Sequence, residues 1–411
     1  MTNLSESTHV WVDTDDAFED FLDIALAEDV YFLDTEFHRE KTYYPQLALV
    51  QVEVAGQVYI LDPLELEMSW MVELFESDAL CVLHAAQQDM DVLAQSVGAI
   101  PSRIYDTQIA ASFLGYSQPS LASLLQSFLK VTVPKNDRLS DWLQRPLTDD
   151  QLSYAASDVR YLPELHRLIS VRLDELGRTA WAREAFEELR TRPTGPGDVL
   201  DAWLRVKDVR TLKGRSRWVA RSVAAWREGR AMALNLPPRH VLSDIAILGI
   251  AQRPPRNREE MAKVRGVDSR HLSGRHGDDL WHSVEQGLAD SKAGDLHFPV
   301  SDTEEIDKSM RSAVTLVSAW ITELARQSHL DTALLGTRRD IVELLSQSPA
   351  ARLRQGWRAD IVGNDIEDLV QGRKALTFGE NGQGRALKLV EVRQTPANDA
   401  PSASSPVDYC G

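Results

Sequence analysis

The first 190 residues alternate between helical and strand-like spacing of apolar side chains. Residues 15–27 repeat apolar positions at intervals of three and four, which predicts a helix, and Thr14 is suited to cap it. Runs with the length and apolar character of strands follow at 30–37, 44–56, 57–63 and 80–86. Helical spacing returns at 65–76, 88–96 and nearly all of 104–186. This order predicts an α/β domain whose sheet begins with an antiparallel meander and continues with alternating units.

Two breaks in the pattern divide the chain into three parts and a tail. One is 190–198, which holds two Pro and two Gly, and the other is 290–301. The second and third parts have helical periodicity, although the type of 385–393 is left open. The last residues are rich in Pro, Ala and Ser, which predicts disorder. The expected domains are therefore 1–190, 199–290, 302–393 and the tail 394–411.

The composition is typical of an ordinary globular protein. Hydrophobic residues make up 43% of the 411, and charged residues 26%. No apolar run approaches the roughly 20 residues that a membrane span needs, and the first residues lack the basic end and apolar stretch of an export signal. The two cysteines, Cys81 and Cys410, cannot form a disulfide framework. These features predict a cytoplasmic protein that does not act at membranes.

The net charge of −17 is unevenly distributed. Residues 1–38 hold eleven Asp or Glu and no Lys or Arg, whereas residues 205–230 hold nine Lys or Arg and two acids. A phosphate backbone would be attracted to this basic stretch in spite of the total charge. A solvated helix face with many arginines could have the same composition.

Two carboxylates interrupt the apolar pattern of a predicted strand in FLDTEF, residues 32–37. Asp34 and Glu36 are two positions apart, so on a strand both point to the same face. An ionised carboxylate in a buried strand is costly unless a cation lies beside it. The pair therefore requires a basic partner or a metal ion, unless one carboxylate faces solvent at the strand end. Oxygen ligands suit Mg²⁺ or Mn²⁺.

Two further acids and a tyrosine could complete such a site. Asp89 follows a predicted strand at the opening of a helix, and Asp158 lies on a later helix. Tyr154 is four positions before Asp158 and projects from the same helix face. Each has an ordinary alternative, as a first-turn Asp, a solvated Asp and a core Tyr. Together with Asp34 and Glu36 they form the parts of a two-metal phosphodiesterase site, in which the ions clamp the attacking and leaving oxygens.

These residues stand in motifs that resemble the bacterial ribonuclease D family of the DEDD superfamily. The similar stretches are FLDTEFHREKTYYPQLALVQV (32–52), LHAAQQDMDVL (83–93), YDTQIAASFLGY (105–116), KNDRLSDWLQRPLT (135–148) and YAASD (154–158). The resemblance covers about 15–190. It implies a ribonuclease H-like fold, with a mixed sheet flanked by helices.

The resemblance also implies a role for each residue of the motifs. The implied ligands of two Mg²⁺ or Mn²⁺ ions are Asp34, Glu36, Asp89 and Asp158. Tyr154 would join them in catalysis by positioning the attacking water, as in the tyrosine branch of the superfamily. Asp91 competes with Asp89 for the second motif, and the spacing from His84 favours Asp89. Gln88 departs from relatives that often have an acid there.

The second part of the chain resembles an HRDC domain, a small helical bundle, over 202–231 and 237–267. It contains the basic stretch, so composition and resemblance agree on nucleic-acid contact. The third part, over 334–347 and 356–376, resembles a diverged second HRDC domain. Both parts are expected to be all-α.

Contacts to RNA are expected near the acids and on the basic stretch. Basic side chains would bind phosphates, and an aromatic side chain would stack on a base. The candidates are His38, Lys41, Lys135, Arg138, Trp142, Lys213, Arg215 and Arg217. For Trp142, a place in the core fits the sequence equally well.

The expected function is metal-dependent 3′→5′ exonuclease action on RNA. It would trim 3′ ends of transfer-RNA precursors or other structured RNA and release nucleoside 5′-monophosphates. The choice of RNA comes from the resemblance, because no residue here indicates a contact to the 2′-hydroxyl. The alternatives are a proofreading-type DNA exonuclease and a non-catalytic RNA-binding scaffold. The protein is expected to act as a monomer.

Overall fold

The computed structural model describes residues 9–133, 140–298, 310–381 and 384–392. The chain divides into two compact units, 1–301 and 302–411. The predicted tail, 394–411, lies outside the described residues, as do Lys135 and Arg138. Within the described ranges, no helix combines the length and the apolar character that crossing a membrane requires.

A six-stranded mixed sheet is the centre of the first unit. Its strands are β1 His9–Val12, β2 Val30–His38, β3 Gln46–Val54, β4 Gln57–Leu61, β5 Leu80–Leu83 and β6 Ile104–Asp106. They lie in the order β1-β4-β3-β2-β5-β6. β3 is antiparallel to β2 and β4, and the other neighbours are parallel. The predicted antiparallel meander, followed by alternating strands and helices, is therefore confirmed.

Helices flank this sheet. They are α1 Asp15–Leu26, α2 Met71–Glu76, α3 Gln87–Ser96, α4 Thr107–Ser112, α5 Leu121–Leu124, α6 Asp149–Arg160, α7 Leu162–Glu175 and α8 Thr179–Arg190. A 3-10 turn, Met68–Trp70, precedes α2, and a π-helical turn, Leu125–Leu129, follows α5. α1 begins where the sequence predicts, because the Thr14 hydroxyl accepts the backbone N–H of Ala17.

The apolar pattern does not predict β1 or β6. They are four and three residues long, too short to show an alternation. Both are held by pairing with strands distant in sequence, β1 with β4 and β6 with β5. Because β6 opens the stretch 104–186, the prediction of helix there is wrong at its start.

The register of β2 against β3 places the two acids of FLDTEF on one face. Asp34 lies opposite Gln51 and Glu36 opposite Leu49, and the register then shifts between Glu36 and Phe37. Directly opposed residues of antiparallel strands share a face of the sheet. Asp34 and Glu36 therefore face the same layer of helices, while Thr35 between them faces the other.

The rest of the first unit is a helical bundle. Its helices are α9 Arg215–Leu234, α10 Pro238–Val241, α11 Asp244–Gln252, α12 Arg258–Met261, α13 Ser269–Leu272 and α14 Gly274–Asp290. Short 3-10 helices lie at Val199–Arg205, Val209–Thr211 and Ser291–Ala293. One apolar core, which includes Trp203, Val219, Ile247 and Leu280, joins these elements. The long helix α9 crosses its centre and packs against α14.

The second unit is helical with a terminal hairpin. Its helices are α15 Arg311–Ser328, α16 Thr332–Leu335, α17 Arg338–Leu345, α18 Gly356–Arg358 and α19 Asn364–Val370, with a 3-10 turn at Arg352–Arg354 and a π-helical turn at Ala359–Gly363. β7 Lys374–Asn381 and β8 Gly384–Glu391 form an antiparallel pair. The all-α prediction is therefore wrong at the end of this part, and the open stretch 385–393 is mostly strand. A single short run shows its type only when its partner strand is known.

Gly287 of α14 approaches α9 too closely for a side chain, since a Cβ there would lie 2.6 Å from the Cα of Val219. We expect Gly287→Ala to destabilise the first unit by about 1–3 kcal/mol, the usual cost of overpacking, seen as a lower urea midpoint. Gly229→Ala in α9 is the matched control, because a Cβ there meets nothing within 4 Å. It should stabilise the unit by up to about 1 kcal/mol through helix propensity. Equal effects of the two changes would contradict the close packing.

Candidate active site

Three carboxylates converge where β2 faces α6. Asp34 and Glu36 project from β2 and Asp158 from α6, and one oxygen of each lies within 4.8 Å of the others. All three side chains are half-buried. We call these residues the acid cluster. The fold thus brings together three of the four ligands that the sequence predicts.

The carboxylates of the acid cluster repel one another. The pKa of Asp34 is raised well above its usual range, first by burial and then by the negative charges of Asp158, Asp89 and Glu36. A divalent cation between the carboxylates would remove this repulsion. Carboxylate oxygens are the ligands that Mg²⁺ and Mn²⁺ prefer. The residues present therefore fit a divalent metal site.

Asp89 stands beside the acid cluster rather than within it. It is buried in the first turn of α3 and accepts a 2.5 Å hydrogen bond from the Thr35 hydroxyl. Because Thr35 lies between Asp34 and Glu36, this bond ties α3 to the strand that carries both acids. Burial, partly offset by the Thr35 hydrogen bond, raises the pKa of Asp89 to about 6.

The competing acid of the second motif, Asp91, is directed elsewhere. Its carboxylate accepts the backbone N–H of Gly195 at 3.4 Å. Residues two apart on a helix point to different sides, so α3 presents only one of the two acids to β2. That acid is Asp89, the one favoured by the spacing from His84. Gln88 is exposed and takes no part in the cluster.

Asp106 positions the start of α3, although the sequence pattern does not single it out. Nearly fully buried at the end of β6, its carboxylate accepts the N–H groups of Ala85 at 3.3 Å and Ala86 at 2.9 Å. It also caps α4 through the N–H groups of Gln108 and Ile109. One acid thus holds two helix starts, one of which carries the second-motif acid. The sequence signal for this role was an Asp directly before the helical run TQIAAS, the position of a helix N-cap.

Tyr154 lies one turn before Asp158 on α6 and is half-buried. Its ring centroid is 6.0 Å from that of Trp142. The Trp142 side chain is only 3% exposed, so no face of its ring is open to a base. The prediction that Trp142 stacks on RNA is therefore wrong, and its alternative place in the core is the one observed.

A fully bonded arginine holds the segment that carries Trp142. Arg145 donates from Nε and Nη2 to the carboxylate of Asp62, both at 2.6 Å, and from Nη2 to the carbonyl of Ala48 on β3 at 2.9 Å. Its Nη1 donates to the carbonyls of Trp142 and Gln144. All five N–H groups of the guanidinium thus have acceptors.

This arginine fixes the entry of α6. Three residues after Arg145, Thr148 caps the helix in a reciprocal capping box with Gln151. α6 then presents Tyr154 and Asp158 to the sheet. Because Asp62 is 2% exposed, loss of the arginine would leave a buried charge without its partner. The pair spans 83 residues, which is why the sequence pattern does not reveal it.

The remaining predicted RNA contacts differ in their surroundings. Lys41, Lys213 and Arg215 are exposed to solvent. His38 is half-buried, with Nε2 3.4 Å from the carboxylate of Asp141. Contact of the three exposed cations with phosphates stays a prediction.

Arg217 has a structural role instead. Its Nε donates to the carbonyl of Leu212 at 2.9 Å and its Nη1 to that of Leu296 at 3.0 Å. The guanidinium also lies 4.6 Å from the ring centroid of Phe298. These contacts hold the chain after α14 on the bundle. The guanidinium is thus engaged within the unit, and contact of Arg217 with RNA stays a prediction.

Two family models match the first unit. The 3′-5′ exonuclease model matches residues 9–174, which include the acid cluster, Asp89 and Tyr154. The HRDC domain model matches residues 216–284, which lie in the helical bundle.

Similar proteins extend the match along nearly the whole chain. Ribonuclease D of Acidiphilium cryptum is 32% identical over 93% of this chain and 97% of its own. Ribonuclease D of Granulibacter bethesdensis is 32% identical over 87% of this chain and 90% of its own. The crystal structure of Escherichia coli RNase D, an exoribonuclease involved in structured RNA processing, has a TM-score of 0.79 at 26% identity, covering 89% of this chain and 99% of that one. The predicted resemblance is confirmed: the chain belongs to the ribonuclease D family and is a 3′→5′ exoribonuclease.

Proposed function

We propose that Asp34, Glu36, Asp89 and Asp158 hold two divalent metal ions, Mg²⁺ or Mn²⁺, at which the chain shortens RNA. The acid cluster carries this proposal, because its three oxygens lie within 4.8 Å of one another. Asp34 and the adjacent Asp89 would together hold the second ion. When bound, such ions make water nucleophilic at neutral pH and neutralise charge on the scissile phosphate.

The protein's own groups orient this chemistry. The Tyr154 hydroxyl, one turn from Asp158, would hold the attacking water by a hydrogen bond. Thr35 would keep the Asp89 carboxylate facing Asp34 through the bond seen in the structure. Attack at the last phosphodiester expels the 3′-oxygen of the penultimate nucleotide. The products are a nucleoside 5′-monophosphate and an RNA one nucleotide shorter.

The proposed substrate is a single-stranded RNA 3′ end, such as the trailer of a transfer-RNA precursor. The E. coli relative is described as acting in structured RNA processing, which supports this choice. The exposed Lys213 and Arg215 would hold phosphates upstream of the end. Action as a monomer and a place in the cytoplasm remain part of the proposal.

Both alternative functions can be tested in one experiment. A 5′-labelled RNA incubated with Mg²⁺ or Mn²⁺ should give a ladder of 3′-shortened products, and EDTA should abolish it. DNA of the same sequence should be shortened more slowly, whereas faster shortening would favour the proofreading-type exonuclease. No shortening with any ion would favour the non-catalytic scaffold. A transfer-RNA precursor with a 3′ extension, run alongside, tests the substrate.

Asp34→Asn should remove activity and yet stabilise the metal-free protein. A folded-state carboxyl whose pKa is raised contributes stability that is present at low pH and lost as pH rises through that pKa. Asparagine avoids this loss at neutral pH, so Tm should rise by about 2–4 °C for each kcal/mol relieved. The rate should fall by roughly 10³-fold or more.

The matched control for this change is Asp91→Asn, which should leave the rate of RNA shortening unchanged. The gain in Tm from Asp34→Asn should shrink toward pH 4, where the wild-type carboxyl is protonated. A lower Tm for Asp34→Asn at neutral pH would contradict the repulsion that the acid cluster is inferred to have.

Mn²⁺ affinity should increase between about pH 5 and pH 7. A protonated carboxyl is not a metal ligand, and the pKa of Asp89 is about 6, so binding must release a proton over this range. Calorimetry in buffers of different ionisation enthalpy measures that proton. Asp89→Asn should weaken binding and remove most of the pH dependence near pH 6, whereas Asp91→Asn should do neither. Proton release that is the same in Asp89→Asn and wild type would exclude Asp89 as a ligand.

Replacing both Lys213 and Arg215 with alanine should weaken RNA binding most strongly at low salt. Each lost phosphate contact reduces the slope of log K against log salt concentration by about 0.7 for a single strand. Arg217→Ala is the contrast: it should lower Tm and leave the slope unchanged, because its guanidinium binds the Leu296 carbonyl. Fluorescence anisotropy at several salt concentrations gives the slopes. A double variant with the wild-type slope would show that these side chains do not meet RNA.

A further inference from the structure

The loop between β2 and β3, residues 39–45, binds the end of helix α9. The Tyr43 hydroxyl donates to the carboxylate of Glu228 at 2.7 Å. The backbone N–H groups of Tyr43 and Tyr44 both donate to the side-chain oxygen of Asn235, each at 3.1 Å. The loop begins one residue after β2, so these bonds join the strand of the acid cluster to the HRDC bundle.

The carboxylate that receives the tyrosine is buried. Glu228 is 3% exposed, and its second partner is Nη2 of Arg205 at 2.6 Å. Burial and the hydrogen bond to Glu228 raise the pKa of Tyr43, so the phenol remains a donor throughout the physiological range. A hydrogen bond to a charged acceptor is stronger than one between neutral groups. The Tyr43–Glu228 bond is thus a strong point of attachment between the two segments.

The backbone conformation of Asn235 at the end of α9 suits it to accept these two hydrogen bonds. It follows α9 with a φ of 49°, the left-handed conformation that Gly and Asn adopt most readily. This turn of the backbone directs the side-chain amide at the loop, where one oxygen accepts two consecutive N–H groups. Glycine would keep the turn without the acceptor, and aspartate would keep both.

The surroundings of these bonds are open. A cavity of about 250 Å³ lies between the loop, α3, the linker after α8 and α9, and is bordered by Arg39, Asp91, Gly197 and Pro238. An interface with such a gap resembles the polar contacts between domains that move relative to each other. The directed bonds of Tyr43 and Asn235 therefore cross an interface that also contains open space.

We propose that Tyr43 and Asn235 form a latch that holds the basic end of α9 in a fixed place relative to the acid cluster, so that long RNA is captured by both. The inference rests on the proposed function. Arg215 precedes Glu228 by 13 residues, or about 20 Å along the helix at 1.5 Å per residue. Within the proposal, a dinucleotide is bound by the acids alone, whereas an RNA of many nucleotides is long enough to reach the start of α9 as well. The latch is thus a determinant of substrate length.

The test compares two substrates and three variants. Tyr43→Phe removes one donor, Asn235→Gly removes the acceptor, and Asn235→Asp is the control that retains it. For a single-stranded RNA of about 20 nucleotides, kcat/KM should fall about five- to tenfold in each of the first two, the scale of one or two lost hydrogen bonds. Asn235→Asp should stay close to wild type. On a dinucleotide, all variants should match wild type within about twofold.

A second readout does not depend on activity. The linker, residues 190–198, is held to α3 by bonds from Arg192 to Gln87 and from Gly195 to Asp91. Release of the bundle should loosen it, so protease should cut it faster in Tyr43→Phe and Asn235→Gly than in Asn235→Asp or wild type. Wild-type rates on both substrates, with unchanged cutting, would overturn the latch. Equal losses on the long and short substrates would also overturn it, because the loop would then act on the acids themselves. If wild type shortened neither substrate with any metal, the proposed function would fail, and the protease comparison would still judge the latch.

Discussion

Repulsion among the carboxylates of the acid cluster is the constraint on which the rest of the first unit depends. Two of the three lie on one strand and cannot separate, so the third must be held against them by other bonds. Arg145 does this from outside the cluster, by fixing the entry of α6 to β3 and to Asp62. Asp106 and Thr35 do the same for α3. Each support is a polar group whose partners are supplied by the chain, so the fold itself opposes the local repulsion.

Much of this arrangement is written in local sequence. The helix behind Thr14, the meander of β2 to β4 and the facing pair Asp34 and Glu36 follow from periodicities of 3.6 and 2 and from one cap. Tyr154 and Asp158 share a face for the same reason. These features depend on residues near one another in the chain, and local patterns report them well.

Features that depend on distant partners could not be predicted in this way. β1 and β6 exist because of their neighbours in the sheet, and the Arg145–Asp62 pair joins positions 83 residues apart. Burial decided the case of Trp142, whose sequence suits a core ring and a stacking platform equally. Only the folded structure shows that other residues of the chain already pack against the Trp142 ring.

The basic stretch illustrates the difference between counting charges and locating them. Arg227 donates to Asp244, Arg205 to Glu228 and Arg217 to backbone carbonyls, so these arginines hold the bundle together. Lys213 and Arg215 are exposed at the start of α9. The excess of positive charge therefore serves two purposes, and a smaller part of it faces solvent than the composition indicates.

Because Asp34, Thr35 and Glu36 alternate on β2, the placement of the acids depends on the register in which β2 pairs with β3. Side chains repeat every two residues, so a slip of one position would turn both acids away from α6 and present the threonine in their place. The same slip would break the bond between Thr35 and Asp89. A molecule that pairs β2 with β3 in another register would therefore lack Asp34 and Glu36 at the site. Correct pairing of β2 with β3 is therefore a condition for forming the active site.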